Sequence, residues 1–184
     1  MDIPTDAFVI GHVGRFAPQK NHQFLLKIVA EIAQQEPNTR LLLVGTGSLR
    51  SDIEQQLDQL GLTDKVIFAG VRSDVPRLML GAMDVFLFPS FYEGLGLVLI
   101  EAQAAGLPCV ISDVVPEEAD VVESLMKRLS LSHSASKWAR VVLAQKKASL
   151  PIKQFDALSI LQKDSPFSIE ISAEKLTNIY SNLI

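Results

Sequence analysis

Two kinds of apolar run alternate along this chain. Short blocks that are apolar on both faces stand at Phe8-Val9-Ile10-Gly11-His12-Val13-Gly14, Arg40-Leu41-Leu42-Leu43-Val44, Val66-Ile67-Phe68-Ala69, Val85-Phe86-Leu87-Phe88 and Val110-Ile111-Ser112. Blocks of that length bounded by glycine, proline and polar residues predict buried strands. Between them the spacing changes. Leu25, Ile28, Val29 and Ile32 recur at helical intervals from Asn21, a candidate N-cap, to just before Pro37, and Leu49, Ile53, Leu57 and Leu60 do the same up to Gly61. These are the stripes of amphipathic helices, the second closed by a glycine cap. A short helix is expected over Val75 to Ala82, and another opens near Gly96, after Pro89 has ended its strand.

Strands apolar on both faces and separated by helices imply a parallel sheet covered on both sides. With right-handed crossovers this is a doubly wound, Rossmann-like α/β domain. Beyond Asp113 the pattern weakens. Leu125 to Leu129 is expected to be a last short strand and Ser136 to Gln145 a helix containing Trp138. Short helices are expected between Ala148 and Ser168, which Pro151 and Pro166 interrupt. Leu176, Ile179, Tyr180 and Leu183 then share one face of a C-terminal helix, which completes a helical extension.

Composition narrows the function. The 184 residues are 48% hydrophobic and 21% charged, enough for one globular domain with a real core. A net charge of −4 argues against a broad nucleic-acid footprint. The lone Cys109 lies in a buried-strand pattern and reads as core packing. Met1-Asp2-Ile3-Pro4-Thr5-Asp6 has neither the basic start nor the apolar stretch of a secretion signal.

In a doubly wound sheet ligands bind beyond the carboxyl ends of the strands, so the loops there hold the candidates. The first carries Gly14, Arg15 and Lys20, the second Gly45 and Gly47, the third Val71 and Arg72, and the fourth Glu93, Gly94, Leu95, Gly96 and Leu97. Cations, glycine turns and a helix start converging on one rim suit a phosphate-bearing ligand, a diphosphate above all. Glu101 falls within an apolar helix, where a buried carboxylate needs a partner. At 1.5 Å of rise per residue it stands about 7.5 Å along from Gly96, a phosphate-to-ribose distance. Competing motifs fail on the letters: the P-loop pattern lacks its second glycine and its hydroxyl residue, and no Gly-x-Gly-x-x-Gly follows the first strand. Blander readings remain for single residues. Arg72 near Asp74 suits a surface ion pair, and His12, His22 and His133, far apart in sequence, read as structural.

Gly14-Arg15 with Lys20-Asn21, Gly45-x-Gly47 and the Glu93-Gly94-Leu95-Gly96 run reaching Glu101-Ala102 resemble the donor-binding half of retaining family-four glycosyltransferases of the GT-B fold. The resemblance is strong from Phe8 to Ile111. It implies that Arg15 and Lys20 neutralise a donor diphosphate, that Gly14 and the amides from Gly94 to Leu97 bind phosphate and sugar, and that Glu93 bonds the transferred sugar. Glu101 would hold the ribose and Val71 would flank the base. The implied donor is a UDP- or GDP-sugar, the implied acceptor a sugar or lipid-linked glycan, and such enzymes generally use no bound metal or other cofactor.

The loop Asp113-Val114-Val115-Pro116-Glu117-Glu118 departs from the glycine-rich segment often found there. Since Phe8 already begins the donor domain, residues 1–184 are expected to be one nucleotide-sugar-binding domain without the N-terminal acceptor domain, and inactive alone. Self-association through the exposed rim, and a cytoplasmic enzyme peripheral to the inner membrane in its full length, complete the expectation. The alternatives are a non-catalytic nucleotide- or phosphosugar-binding module and a Rossmann-like interaction domain.

Overall fold

The computed structural model describes residues 3–147 and 154–181. Six strands form one parallel sheet: β1 (Phe8–Val13), β2 (Thr39–Val44), β3 (Val66–Gly70), β4 (Val85–Phe88), β5 (Cys109–Ser112) and β6 (Met126–Leu129). Their spatial order is β3-β2-β1-β4-β5-β6. The chain therefore builds outward from β1 to β3, returns, and builds outward again from β4 to β6. The direction reverses between β1 and β4, where consecutive loops diverge and leave a crevice.

Because successive strand side chains point to opposite faces, each strand feeds two cores. On one face Ile10, Leu41, Leu43, Leu87 and Val110 pack against α1 (His22–Gln35), α2 (Arg50–Leu60) and α5 (Ala135–Lys147), which contributes Trp138 and Val142. On the other, Val9, Leu42, Phe86, Phe88 and Ile111 meet α3 (Val75–Ala82) and α4 (Leu97–Ala104) through Leu78, Met79, Leu99 and Ala102. A smaller core joins α6 (Gln154–Asp164) to the outer side of α4, through Ala157 and Leu161 with Ile100 and Ala104. Cys109 is buried within β5, as its pattern predicts.

The elements follow the hydropathy pattern closely, with α3 and β4 on their expected bounds and Gly61 closing α2 at φ 65°. Two features differ. Asn21 is the N-cap of α1, its carbonyl accepting from Phe24 N and Leu25 N, but its side chain makes no capping bond: it sits at φ 52° and its amide Nδ2 donates instead to Pro89 O at 3.0 Å. The last helix, α7 (Ile169–Ser181), buries none of its residues, so Leu176, Ile179 and Tyr180 of its apolar stripe are exposed. Leu183, the fourth member of that stripe, and residues 148–153 lie outside the described residues.

Candidate functional site

The crevice between β1 and β4 is built by two loops that are tied together before any ligand arrives. Phe91 N donates to Gln19 O at 2.8 Å, Gln19 Nε2 donates to Tyr92 O at 2.9 Å, and the Asn21 amide adds its bond to Pro89 O. Ser112 at the end of β5 donates its hydroxyl to Ser90 O at 2.7 Å, which anchors the second loop from the other side.

Across this frame the Lys20 ammonium donates to Glu93 Oε1 at 2.7 Å, although the two residues are 73 positions apart. Their side chains are only 14% and 6% exposed, and Nζ also lies 4.5 Å from the centre of the Phe88 ring. A charge pair so shielded interacts more strongly than a surface pair, and either member alone would be costly there. Gly14 leaves room for the lysine stem. A Cβ at that position would approach Lys20 Cε to 3.1 Å, so the bare backbone lets the lysine stem lie across it.

The second loop buttresses the first. Gly14 N donates to Val44 O and Phe16 N to Thr46 O, both at 2.9 Å. A Cβ on Gly45, at φ 134°, would fall 2.0 Å from Gly14 O, and one on Gly47 would fall 2.3 Å from Phe16 O. These glycines allow backbone to lie against backbone, the close approach that Gly45-x-Gly47 foreshadows. Arg15 is exposed beside them and lines an open pocket with Gly14, Gly45, Thr46 and Val71, whose side chain is 78% exposed. Arg72 donates from Nε and Nη2 to the two Asp74 oxygens, each at 2.7 Å, the surface ion pair that its sequence neighbour implied.

Gly96 begins α4 in the left-handed region at φ 75°, which turns the Glu93-Gly94-Leu95-Gly96 loop into the helix. Leu99 N already donates to Gly96 O at 2.7 Å, so the donors at this helix start come from Leu97 and Val98. Leu97 is exposed. Glu101 requires a correction: its side chain is exposed, so the expectation that it is buried in the helix and for that reason needs a partner does not hold. The apolar neighbours in α4 misled, because Leu99 and Ala102 face the sheet while Glu101 turns away from it.

Sequence distance concealed a further component. His12 in β1 and His22 at the start of α1 meet with ring centroids 5.0 Å apart, among Phe16, Phe86 and Phe88. Burial, with His22 and Lys20 as further positive neighbours, pushes His12 down to about 3, against the bond between its Nδ1 and Leu87 O at 2.9 Å. Burial and then Lys20 push His22 down to about 4. Both rings are therefore neutral at pH 7, and the Leu87 carbonyl requires His12 to carry its proton on Nδ1. His12 Nε2 and both nitrogens of His22 find no hydrogen-bond partner among the described residues. The only sequence signal for the pair was that each histidine sits next to a core position.

The loop after β5 lacks glycines but is not loose. Arg128 donates from Nε and Nη2 to Asp120 at 2.7 and 2.8 Å, and from Nη2 to Pro116 O at 2.9 Å, so the guanidinium staples the segment to β6. The segment is thereby fixed, and with Asp113, Glu117, Glu118 and Asp120 it is acidic. Among the described residues no group of three or more histidine, cysteine or carboxylate residues is placed to hold a metal ion, and no helix is long and apolar enough to cross a membrane.

Comparison with known proteins agrees with this architecture. Residues 1–143 match the family model described as glycosyl transferases group 1. The chain is 40% identical over 179 residues to the putative glycosyltransferase EpsF of Bacillus subtilis (strain 168), covering 97% of this chain and 46% of that protein. It is 33% identical to the Escherichia coli UDP-Gal:alpha-D-GlcNAc-diphosphoundecaprenol alpha-1,3-galactosyltransferase, over 62% of this chain and 30% of the other. Among solved structures, Anabaena Alr3699/HepE in complex with UDP superposes with a TM-score of 0.79 at 25% identity, over 96% of this chain and 49% of that one. The chain thus spans about half the length of EpsF and HepE and less of the galactosyltransferase.

Proposed function

The chain belongs to the group 1 glycosyl transferases, and from that premise we propose that residues 1–184 form the donor-binding half of a retaining glycosyltransferase that takes a UDP- or GDP-sugar. The observation that carries the reading is the Lys20–Glu93 pair, which sets a cation and a carboxylate side by side at the point where the sheet changes direction. Transfer needs both. The bond from C1 of the sugar to the diphosphate breaks, negative charge grows on the departing phosphate, and an acceptor oxygen takes C1 on the same face. The acceptor proton leaves on the diphosphate.

Lys20, with the exposed Arg15 reaching from the same loop, stabilises that growing charge more than the charge of the bound donor. Glu93 orients hydroxyls of the transferred sugar, and the amides from Gly94 to Leu97 take a phosphate oxygen. Val71 and the pocket it shares with Gly14 and Arg15 receive the base. Exposure suits Glu101 to this role, since a carboxylate not already engaged can accept two ribose hydroxyls. The acceptor is a sugar or lipid-linked glycan in polysaccharide assembly, a reading supported by the galactosyltransferase relative, whose name gives a diphosphoundecaprenol-linked sugar. The enzyme works on the cytoplasmic side, at the membrane surface. Its acceptor-binding part lies outside these residues, so the chain alone binds donor without turning it over.

Calorimetry with UDP and GDP tests the reading. One of the two is expected to bind, and Arg15→Ala or Glu101→Ala to weaken it about tenfold or more, the loss of one charge-assisted hydrogen bond. Absence of binding by both nucleotides, or affinity unchanged in both variants, overturns it. Robust sugar transfer by this chain alone would overturn its dependence on a further domain.

A further inference from the structure

Helix capping does not account for the side chain or the backbone angle of Asn21. Among the described residues it is the one non-glycine residue with a positive φ, 52°, in the left-handed region that most side chains enter only at a cost. The residue is buried, and its amide turns away from the free N–H groups of α1 to reach Pro89 O across 68 positions of sequence. Capping is left to its backbone, through the carbonyl that accepts from Phe24 N and Leu25 N.

Pro89 follows β4 directly and begins the segment that leads to Glu93. Four residues in a row are held there from outside: Pro89 O by the Asn21 amide, Ser90 O by the Ser112 hydroxyl, Phe91 N by Gln19 O, and Tyr92 O by Gln19 Nε2. The next side chain is Glu93, on the Lys20 ammonium. The Gln19 side-chain bond is exposed, where water competes with it, whereas those of Asn21 and Ser112 are buried and hold more firmly. Ser112 comes from β5, but Asn21 is the neighbour of Lys20 in the chain. One residue thus sets, through its φ, the path of the backbone that carries the cation and, through its amide, the start of the loop that carries the carboxylate.

We propose that Asn21 is a positioning residue for the transferred sugar: its bond to Pro89 O holds the Glu93 carboxylate where it and Lys20 act on one donor. This role rests on the proposed donor-binding reading and adds to it a residue that touches no donor atom. Asparagine meets both demands of the position, since it tolerates the left-handed region and its amide is a donor. Aspartate would turn a carboxylate oxygen towards the Pro89 carbonyl, and glycine brings no donor at all.

The test compares Asn21→Gly and Asn21→Asp with the unaltered 184-residue chain. Glycine keeps the left-handed φ and the backbone cap, and aspartate is a favoured N-cap at the positive end of a helix, so a capping role alone predicts little loss from either. Amide hydrogen exchange reads the loop without any ligand. In both variants the Phe91 N–H is expected to exchange about tenfold faster or more, while the Leu25 N–H, bonded to Asn21 O, stays within about twofold. No acceleration at Phe91, or an equal acceleration at Leu25, overturns the proposal. Calorimetry then reads the sugar, with UDP, UDP-glucose, UDP-galactose, UDP-N-acetylglucosamine, GDP and GDP-mannose as probes. For the nucleotide sugar that the unaltered chain binds, both variants are expected to lose about tenfold in affinity while the bare nucleotide stays within about twofold. That selective loss is expected to vanish in a Glu93→Gln background, because Asn21 acts through the Glu93 carboxylate. Equal losses for nucleotide and nucleotide sugar, no loss for either, or a loss that persists in Glu93→Gln overturns the proposal. If the unaltered chain binds none of these probes, the donor reading fails and the sugar-positioning role falls with it. Binding by the unaltered chain without the selective loss removes the role of Asn21 alone. Where one variant fails to fold, the other answers by itself.

Discussion

The shielded Lys20–Glu93 pair carries stability as well as the chemistry proposed for it. Removing the lysine leaves a nearly buried carboxylate without its counter-ion, so Lys20→Met is expected to lower unfolding free energy by about 3 kcal/mol. Adding Glu93→Leu should restore much of that loss, and urea unfolding of the two variants measures the difference. The histidine pair acts on pH. Each ring is held below its ordinary value of 6.5, to about 3 for His12 and about 4 for His22, so between those values and 6.5 the unfolded chain binds protons that the native one refuses. Stability is therefore full above pH 6.5 and falls as pH drops towards 4, by up to about 1.4 kcal/mol per pH unit for each ring. His22→Gln should flatten that slope by one proton in urea titrations across the window. At this scale the sequence was informative where spacing mattered, as for Glu93, Gly94 and Gly96, and silent where distance mattered. Nothing in the letters brings His12 to His22, and the exposed Glu101 shows that apolar neighbours in a helix do not say which way a carboxylate turns.

Among the elements, the glycine turns separate two reasons for using the same residue. Gly61 has nothing within 4 Å of its missing Cβ, so Gly61→Ala costs only the left-handed strain, about 1 kcal/mol. Gly45→Ala adds a collision with the Gly14 carbonyl and is expected to cost several times as much, while also weakening UDP binding by displacing the first loop. Thermal unfolding and calorimetry on the two variants separate cap from buttress. Strands and helices were legible because a sheet covered on both faces leaves an unbroken apolar block and each covering helix a stripe. Asn21 stands at the N-cap as its neighbours suggested, but its side chain does no capping, since the partner of its amide, Pro89 O, belongs to a loop 68 residues away. The loop after β5 looked anomalous for want of glycines, and Arg128 resolves it: side-chain hydrogen bonds hold there what tight backbone turns hold elsewhere.

For the whole molecule, the exposed stripe of α7 is the feature out of keeping with a self-sufficient fold. Leu176, Ile179 and Tyr180 are 54%, 58% and 62% exposed on a helix that buries nothing, and apolar surface left open drives association. Sedimentation velocity is expected to show mass rising with concentration, and Leu176→Lys with Ile179→Lys to abolish the rise; a monomer at every concentration would remove self-association from the picture. The fold class was legible because topology follows from the order of strands and helices, and so was the stripe itself, since periodicity marks an apolar face; what covers that face periodicity does not say.

The crevice also lies along the seam where β1 meets β4, registered only at Ile10 with Val85 and Gly11 with Phe86, while β1 matches β2 along its whole length. Pairing across that seam must wait until β2 and β3 have been made, because the chain returns to β1 only after completing one wing of the sheet. During synthesis the first wing can therefore assemble as the chain emerges, with Lys20 already in place and no Glu93 to meet it. The Lys20–Glu93 pair therefore needs both wings of the sheet, and a chain interrupted before β4 would carry half of it.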